Sequence, residues 1–82
     1  MDVKVGKVYR HFKGNLYIVE GIATNSETLE KMVVYRALYG DCTLYVREYD
    51  NFIEKLDKNI YPHISQEYRF KHVEITSNIE EE

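Results

Sequence analysis

The sequence predicts an all-β fold, a small SH3-like barrel of about five antiparallel strands. Short runs rich in Val, Ile and Tyr alternate with Gly, Asn, Asp and Ser at close intervals, a pattern typical of small barrels and sandwiches. The length of 82 residues allows one domain. These observations leave open an alternative, an open antiparallel sheet with one short helix in an α+β fold.

Turn residues divide the chain into five predicted strands, at residues 7–12, 16–23, 31–38, 43–47 and 69–75. Gly14 lies between the first two strands, where a positive φ permits a tight hairpin. Gly21 interrupts the second strand and predicts a β-bulge. The turn at Gly40 joins the third strand to the fourth. Residues 49–56 fit a helical turn as well as a short strand. The charges within residues 69–75 suit an edge strand.

Alternation along a strand assigns its side chains to two faces. In the fourth strand, we place Leu44 and Val46 toward the core because they are aliphatic. The same alternation then directs Tyr45 and Arg47 toward solvent.

Composition supports a folded, cytoplasmic domain. Ile, Leu, Val and Phe supply 23 of 82 residues, above the roughly 20% below which chains tend to be disordered. We expect the domain to cover residues 1–76 and the acidic residues 77–82 to form a frayed tail. The single cysteine, Cys42, excludes an internal disulfide and fits a reducing cytoplasm. No apolar run approaches the roughly 20 residues of a membrane helix, so no membrane partner is expected.

Several motifs follow one another in an order that resembles a known family. They are Tyr9-Arg10-His11-Phe12-Lys13-Gly14-Asn15, Ser26-Glu27-Thr28, Val34-Tyr35-Arg36, Leu38-Tyr39-Gly40 and Val46-Arg47. The series is similar to that of a family of small bacterial proteins known as a domain of unknown function. The match runs from about Gly6 to Phe52 and implies a nearly complete copy of that domain. The resemblance implies no activity.

The most suggestive side chains are tyrosines interleaved with cations. The candidate ligand-binding residues are Tyr9, Arg10, His11, Lys13, Tyr35, Arg36, Tyr45 and Arg47. Aromatic rings and cations on neighbouring strands can stack on a ligand or hold an anionic group. We therefore expect a non-catalytic binding or adaptor module whose partner is a protein, a peptide or a small anionic ligand. The ordinary alternative is that the tyrosines pair across strands and the arginines form surface ion pairs, for example with Glu20.

Two other functions stay open. The cations of the N-terminal half allow weak binding of single-stranded nucleic acid, although the net charge of −3 argues against high affinity. His11 acting as a base, with Glu27 as its partner, would make a small enzyme, but no nucleophile motif supports catalysis. The histidines and Cys42 lack the spacing of metal ligands, so no metal or other cofactor is expected. An exposed strand edge is compatible with a monomer or a homodimer.

Overall fold

The computed structural model describes residues 1–74 as an open antiparallel sheet with one short helix. The elements in chain order are β1 (Val8–His11), β2 (Leu16–Thr24), β3 (Lys31–Ala37), β4 (Leu44–Glu48), α1 (Tyr49–Phe52) and β5 (Phe70–Val73). The strands lie in the order β4-β3-β2-β1-β5. The first four strands thus form a meander, and β5 returns to pair with β1.

The predicted barrel does not form, and the open sheet is the observed architecture. Within residues 1–74, β4 and β5 lie at opposite edges and do not pair with each other. The chain between α1 and β5 forms its own backbone hydrogen bonds, from Leu56 N to the Glu67 carbonyl and from Arg69 N to the Glu54 carbonyl, both 2.9 Å. Leu56 and the preceding Phe52 are buried. Because this part of the chain contributes to covering the apolar side of the sheet, that side is buried without closure.

Most of the predicted element boundaries are confirmed. The first four strands begin and end within one residue of the predicted positions. The β2–β3 register shifts between Val19 and Gly21, which confirms the bulge. Residues 49–56 begin as helix α1 and leave the helix after Phe52. The strand predicted at residues 69–75 is the edge strand β5. Its last predicted residue, 75, and the predicted tail at 77–82 lie outside the described residues.

The core is largely aromatic and lies on one side of the sheet. Its central residues are Tyr9, Val19, Val33, Tyr35, Phe52 and Phe70. The rings of Phe52 and Phe70 stack in parallel with centroids 4.0 Å apart. Tyr9 meets the Phe52 ring edge-on at 5.5 Å. These rings bring together α1, β1 and β5, so the last strand and the helix depend on one another for their packing.

Two tyrosines connect the core to the N-terminal segment. Tyr9 is only 1% exposed, yet its hydroxyl accepts a hydrogen bond from Lys4 N at 2.9 Å. The Tyr49 hydroxyl accepts one from Val3 N at 3.0 Å. Each ring is packed among apolar groups while its hydroxyl satisfies a backbone donor at the boundary with solvent. This geometry explains two of the eight tyrosines of the chain without invoking a ligand.

The predicted orientation of β4 is wrong. Tyr45 lies opposite the buried Tyr35 and therefore shares its face of the sheet, while Val46 faces the other way and is 61% exposed. Leu44 is also exposed. The Tyr45 ring lies 5.7 Å from the Tyr35 ring, and the Arg47 guanidinium lies 5.4 Å from the Phe70 ring. Packing of these groups on the aromatic core places the aliphatic side chains outside.

Candidate functional site

The predicted site residues divide between the two faces of the sheet. The core face, defined by Tyr9, Val19 and Val33, also carries His11, Tyr35, Tyr45 and Arg47. Arg10 and Arg36 lie on the opposite, outer face by strand alternation. The Arg36 guanidinium donates to Glu20 at 2.6 Å, the surface ion pair expected as the ordinary alternative. Lys13 lies in the turn between β1 and β2. The structure therefore brings together only part of the predicted set.

Tyr9 and Tyr35 are core residues rather than accessible contacts. Tyr9 is 1% exposed and Tyr35 is 4% exposed. Their rings lie in the hydrophobic core and pack against its other residues. Tyr39 and Tyr45, by contrast, reach solvent and are 40% and 41% exposed.

Tyr17 and three tyrosines packed against it form what we call the tyrosine cluster, in which Tyr35 is the buried member. Its members are Tyr17, Tyr35, Tyr39 and Tyr45. The Tyr17 ring makes edge-on contacts with the other three, with centroids 5.3 to 6.2 Å apart. The Tyr17 and Tyr39 hydroxyls share a hydrogen bond of 2.7 Å. Burial and this hydrogen bond raise the pKa of Tyr17, so its hydroxyl stays protonated. The Tyr17 hydroxyl at the centre of the tyrosine cluster is thus a neutral hydrogen-bonding group.

Arg47 is held next to the tyrosine cluster by uncharged partners. Its Nε donates to the Tyr35 hydroxyl at 3.0 Å, and its Nη1 donates to Asn51 Oδ1 at 2.6 Å. Asn51 donates in turn to Glu54, whose carboxylate accepts a hydrogen bond from Arg69 at 2.6 Å. Within residues 1–74, no carboxylate lies within ion-pairing distance of Arg47. The guanidinium is therefore fixed in place while its charge has no direct partner in this part of the chain.

His11 lies beside this cation and is uncharged at neutral pH. Its ring stacks on Phe12 at 4.5 Å and meets Phe70 edge-on at 5.0 Å. Burial and the positive charges of Arg47, Arg69 and Lys13 lower the pKa of His11 from 6.5 to about 4. Lys13 N donates to His11 Nδ1 at 3.1 Å. Because Nδ1 accepts a hydrogen bond, the neutral ring carries its proton on Nε2 and has an N–H donor there.

These groups together form the candidate site, which we define as the tyrosine cluster with His11, Arg47 and Phe70. Three cations act on His11, namely Arg47 within the site and Arg69 and Lys13 next to it, and Glu54 is the carboxylate hydrogen-bonded within this network. Local charge is thus positive although the whole chain carries −3. The fixed guanidinium and the His11 N–H are donors suited to a carboxylate or a phosphate. The tyrosine rings beside them supply apolar and stacking area.

Several site residues were missed by the sequence analysis. Alternation within β2 carries a signal for Tyr17, which lies two residues before the core residue Val19. Tyr39 follows β3 in a turn, where alternation makes no assignment. Phe70 and Arg69 come from the C-terminal part of the chain. They reach the site because β5 pairs with β1, placing Phe70 opposite His11.

Cavities also lie in other parts of the described structure. A shallow cavity of about 360 Å³ is lined by Glu30, Lys31, Glu48, Tyr49 and Asp50. Its acidic residues repel one another, and the hydrogen bond and charge of Glu48 raise the pKa of Glu30.

Across residues 1–74, no group of three or more His, Cys, Asp or Glu side chains has an arrangement that could hold a metal ion. In the same range, no helix has the length and apolar character needed to cross a membrane.

Fold and site define a class: a small domain built on an open antiparallel sheet, with an aromatic and cationic surface on its core face. Residues 7–72 match the family described as "Protein of unknown function (DUF1653)". The chain therefore belongs to the DUF1653 family, which confirms the predicted membership of a domain of unknown function.

A solved relative has the same fold over nearly its whole length. The crystal structure of a DUF1653 protein from Bordetella bronchiseptica is 31% identical in sequence and superposes with a TM-score of 0.74. The match covers 95% of this chain and 96% of that chain. No curated protein matches the chain.

Proposed function

We propose that this domain is a non-catalytic binding module that holds an anionic ligand on the candidate site. The observation that carries the proposal is Arg47, a guanidinium fixed by Tyr35 and Asn51 with no carboxylate paired to it in residues 1–74. A buried or half-buried cation without a counter-ion is costly in isolation, and an anionic ligand would offset that cost. His11 Nε2 supplies a second donor on the same face.

The tyrosine cluster favours a ligand that has an aromatic or apolar part in addition to its anionic group. Tyr39 and Tyr45 both contact the Tyr17 ring, and Tyr45 lies on the same face of β4 as Arg47. Their exposed rings offer a stacking surface for a planar or apolar group. The ligand class that fits is therefore a carboxylate or phosphate attached to an aromatic or apolar body. A small molecule and the side chain or terminus of a peptide both present this chemistry.

On this proposal, the motif from Tyr9 to Asn15 has mixed roles. His11 and Lys13 contribute polarity and charge to the site. Tyr9 contributes to the core, and Gly14 forms the turn with a φ of +111°.

The exposed thiol of Cys42 agrees with the reducing cytoplasm that we propose as the location.

The geometry favours binding over the two alternatives. The neutral His11 carries its proton on Nε2 and uses Nδ1 as an acceptor, so neither nitrogen is ready to abstract a proton. Nucleic-acid binding needs cations along one path, whereas Arg10 and Arg36 lie on the outer face and Arg36 is paired with Glu20.

The test is a titration of the ¹⁵N-labelled chain with benzoate and with phenyl phosphate, followed by NMR. Benzamide serves as the uncharged probe. We expect amide shifts confined to the surroundings of His11, Tyr45 and Arg47, and weaker binding of benzamide. Arg47→Gln should weaken binding of both anions about tenfold or more, since a charged hydrogen bond contributes about 1.5–3 kcal/mol.

Arg10→Gln is the matched control, because it removes the same charge from the outer face. It should leave both affinities nearly unchanged. The proposal is wrong if the shifts scatter over the surface, or if Arg10→Gln weakens binding as much as Arg47→Gln does. A phosphate preference or a carboxylate preference in the wild-type titrations identifies the anionic group.

A further inference from the structure

We propose that this chain forms a symmetric homodimer by antiparallel pairing of β4 with β4 of a second copy. The inference does not depend on a ligand at the candidate site. It rests on the edge position of β4, on the direction of its backbone groups and on the pattern of its five side chains.

β4 is an open edge with few of the features that protect such edges. Within residues 1–74, its outer side pairs with no other strand. The strand contains neither Pro nor Lys, and its two charged residues, Arg47 and Glu48, lie at its C-terminal end. The preceding Leu44, Tyr45 and Val46 are 47%, 41% and 61% exposed. Soluble proteins usually protect a long exposed edge with charge, proline or a bulge. At β4, apolar side chains and free backbone groups occur together.

The backbone of β4 directs alternate residues away from the sheet. Ala37 N donates to the Thr43 carbonyl at 2.9 Å, so these two residues form a hydrogen-bonded pair. Hydrogen-bonded and non-hydrogen-bonded pairs alternate along an antiparallel ladder. Tyr45 therefore bonds to β3, while the N–H and C=O groups of Leu44 and Val46 point outward. These outward N–H and C=O groups can form backbone hydrogen bonds with another antiparallel strand.

The side chains of β4 complement those of a second copy when the two-fold axis passes through Val46. Val46 then faces its own copy in a hydrogen-bonded pair. On the outer face, Val34 lies next to Val46, so pairing creates a row of four valines across two sheets. On the core face, Tyr45 lies opposite Arg47 of the second copy in the closer, non-hydrogen-bonded type of pair. An aromatic ring opposite a cation is a favourable pair. Parallel pairing of the two strands would instead place identical residues next to one another and bring like charges together.

The first test is sedimentation of the full chain at concentrations from about 5 µM to about 500 µM, because mass action favours a dimer at high concentration. We expect the mass to rise from that of the monomer to twice that value. Val46→Lys should keep the chain monomeric throughout the range. Val5→Lys is the matched control, since Val5 is 55% exposed and lies outside the sheet; it should dimerise like the wild type.

A second test measures the register and does not depend on Val46→Lys remaining folded. In a Cys42→Ser background, Val46→Cys should form an intermolecular disulfide under mild oxidation, because Cα atoms of such a pair lie about 5.5 Å apart. Leu44→Cys should not, because Leu44 lies opposite Glu48 of the second copy. The proposal is overturned if the wild type stays monomeric at all concentrations, if Val46→Lys dimerises normally, or if Leu44→Cys cross-links in preference to Val46→Cys.

Discussion

Acidification should destabilise this domain through His11. In the folded chain, burial and the charges of Arg47, Arg69 and Lys13 lower the pKa of His11 to about 4, whereas the unfolded chain keeps the ordinary value of 6.5. Between these two values the unfolded chain binds more protons than the folded chain. The free energy of unfolding therefore falls as the pH drops through 6.5 toward 4.

The size of the effect follows from the two pKa values. With a pKa of 6.5 in the unfolded chain and about 4 in the folded chain, linkage lowers the free energy of unfolding by about 2 kcal/mol between about pH 7 and about pH 5. His11 is only half-buried, and solvent screening reduces the expected loss to about 1 kcal/mol. A domain of this size has a small total stability, so this loss is readily measured.

The assay is urea unfolding at both pH values for the wild type and for His11→Asn. Asparagine keeps an acceptor for Lys13 N but does not ionise. Carboxylates such as Glu20 titrate in both proteins, so the difference between the two pH dependences isolates His11. An NMR titration of the His11 ring gives its pKa directly. A measured pKa at or above 6.5, or an equal loss of stability in both proteins, refutes the reasoning.

Three further predictions concern stability. Phe52→Ala should cost about 3–5 kcal/mol, because the ring is fully buried and stacks on Phe70 at 4.0 Å; a thermal melt close to that of the wild type would contradict this. Tyr9→Phe should cost about 1 kcal/mol in urea unfolding and speed hydrogen exchange of the Lys4 amide, which loses its acceptor; unchanged exchange would show that the bond does not protect that amide. Gly14→Ala should cost about 1–3 kcal/mol through backbone strain alone, since φ is +111° and a Cβ there meets nothing within 4 Å. Gly21→Ala, where φ is not positive and the space is equally open, is the control and should cost much less.

Part of the candidate site was predictable from the sequence. Alternation predicts that Tyr45 and Arg47 share one face of their strand, and His11 is predicted to join them only if the strands are neighbours. The predicted direction of that face is wrong, because hydrophobicity alone favours Leu44 and Val46 as the inward residues. Val46 faces outward since the aromatic core accommodates Tyr45 and the stem of Arg47 instead. Burial of Tyr9 is likewise invisible in a pattern that only reports alternation.

The sequence by itself determined the local structure. Turn residues and branched side chains set the strands, Gly14 set the first hairpin, and Gly21 set the bulge, because these features depend on backbone conformations of neighbouring residues. Only the tertiary structure decided that the sheet stays open and that Phe70 and Arg69 lie beside His11. Those outcomes depend on contacts between residues about 60 positions apart, made when β5 pairs with β1. Local periodicity carries no information on such a pairing, and the charge balance of the site depends on it.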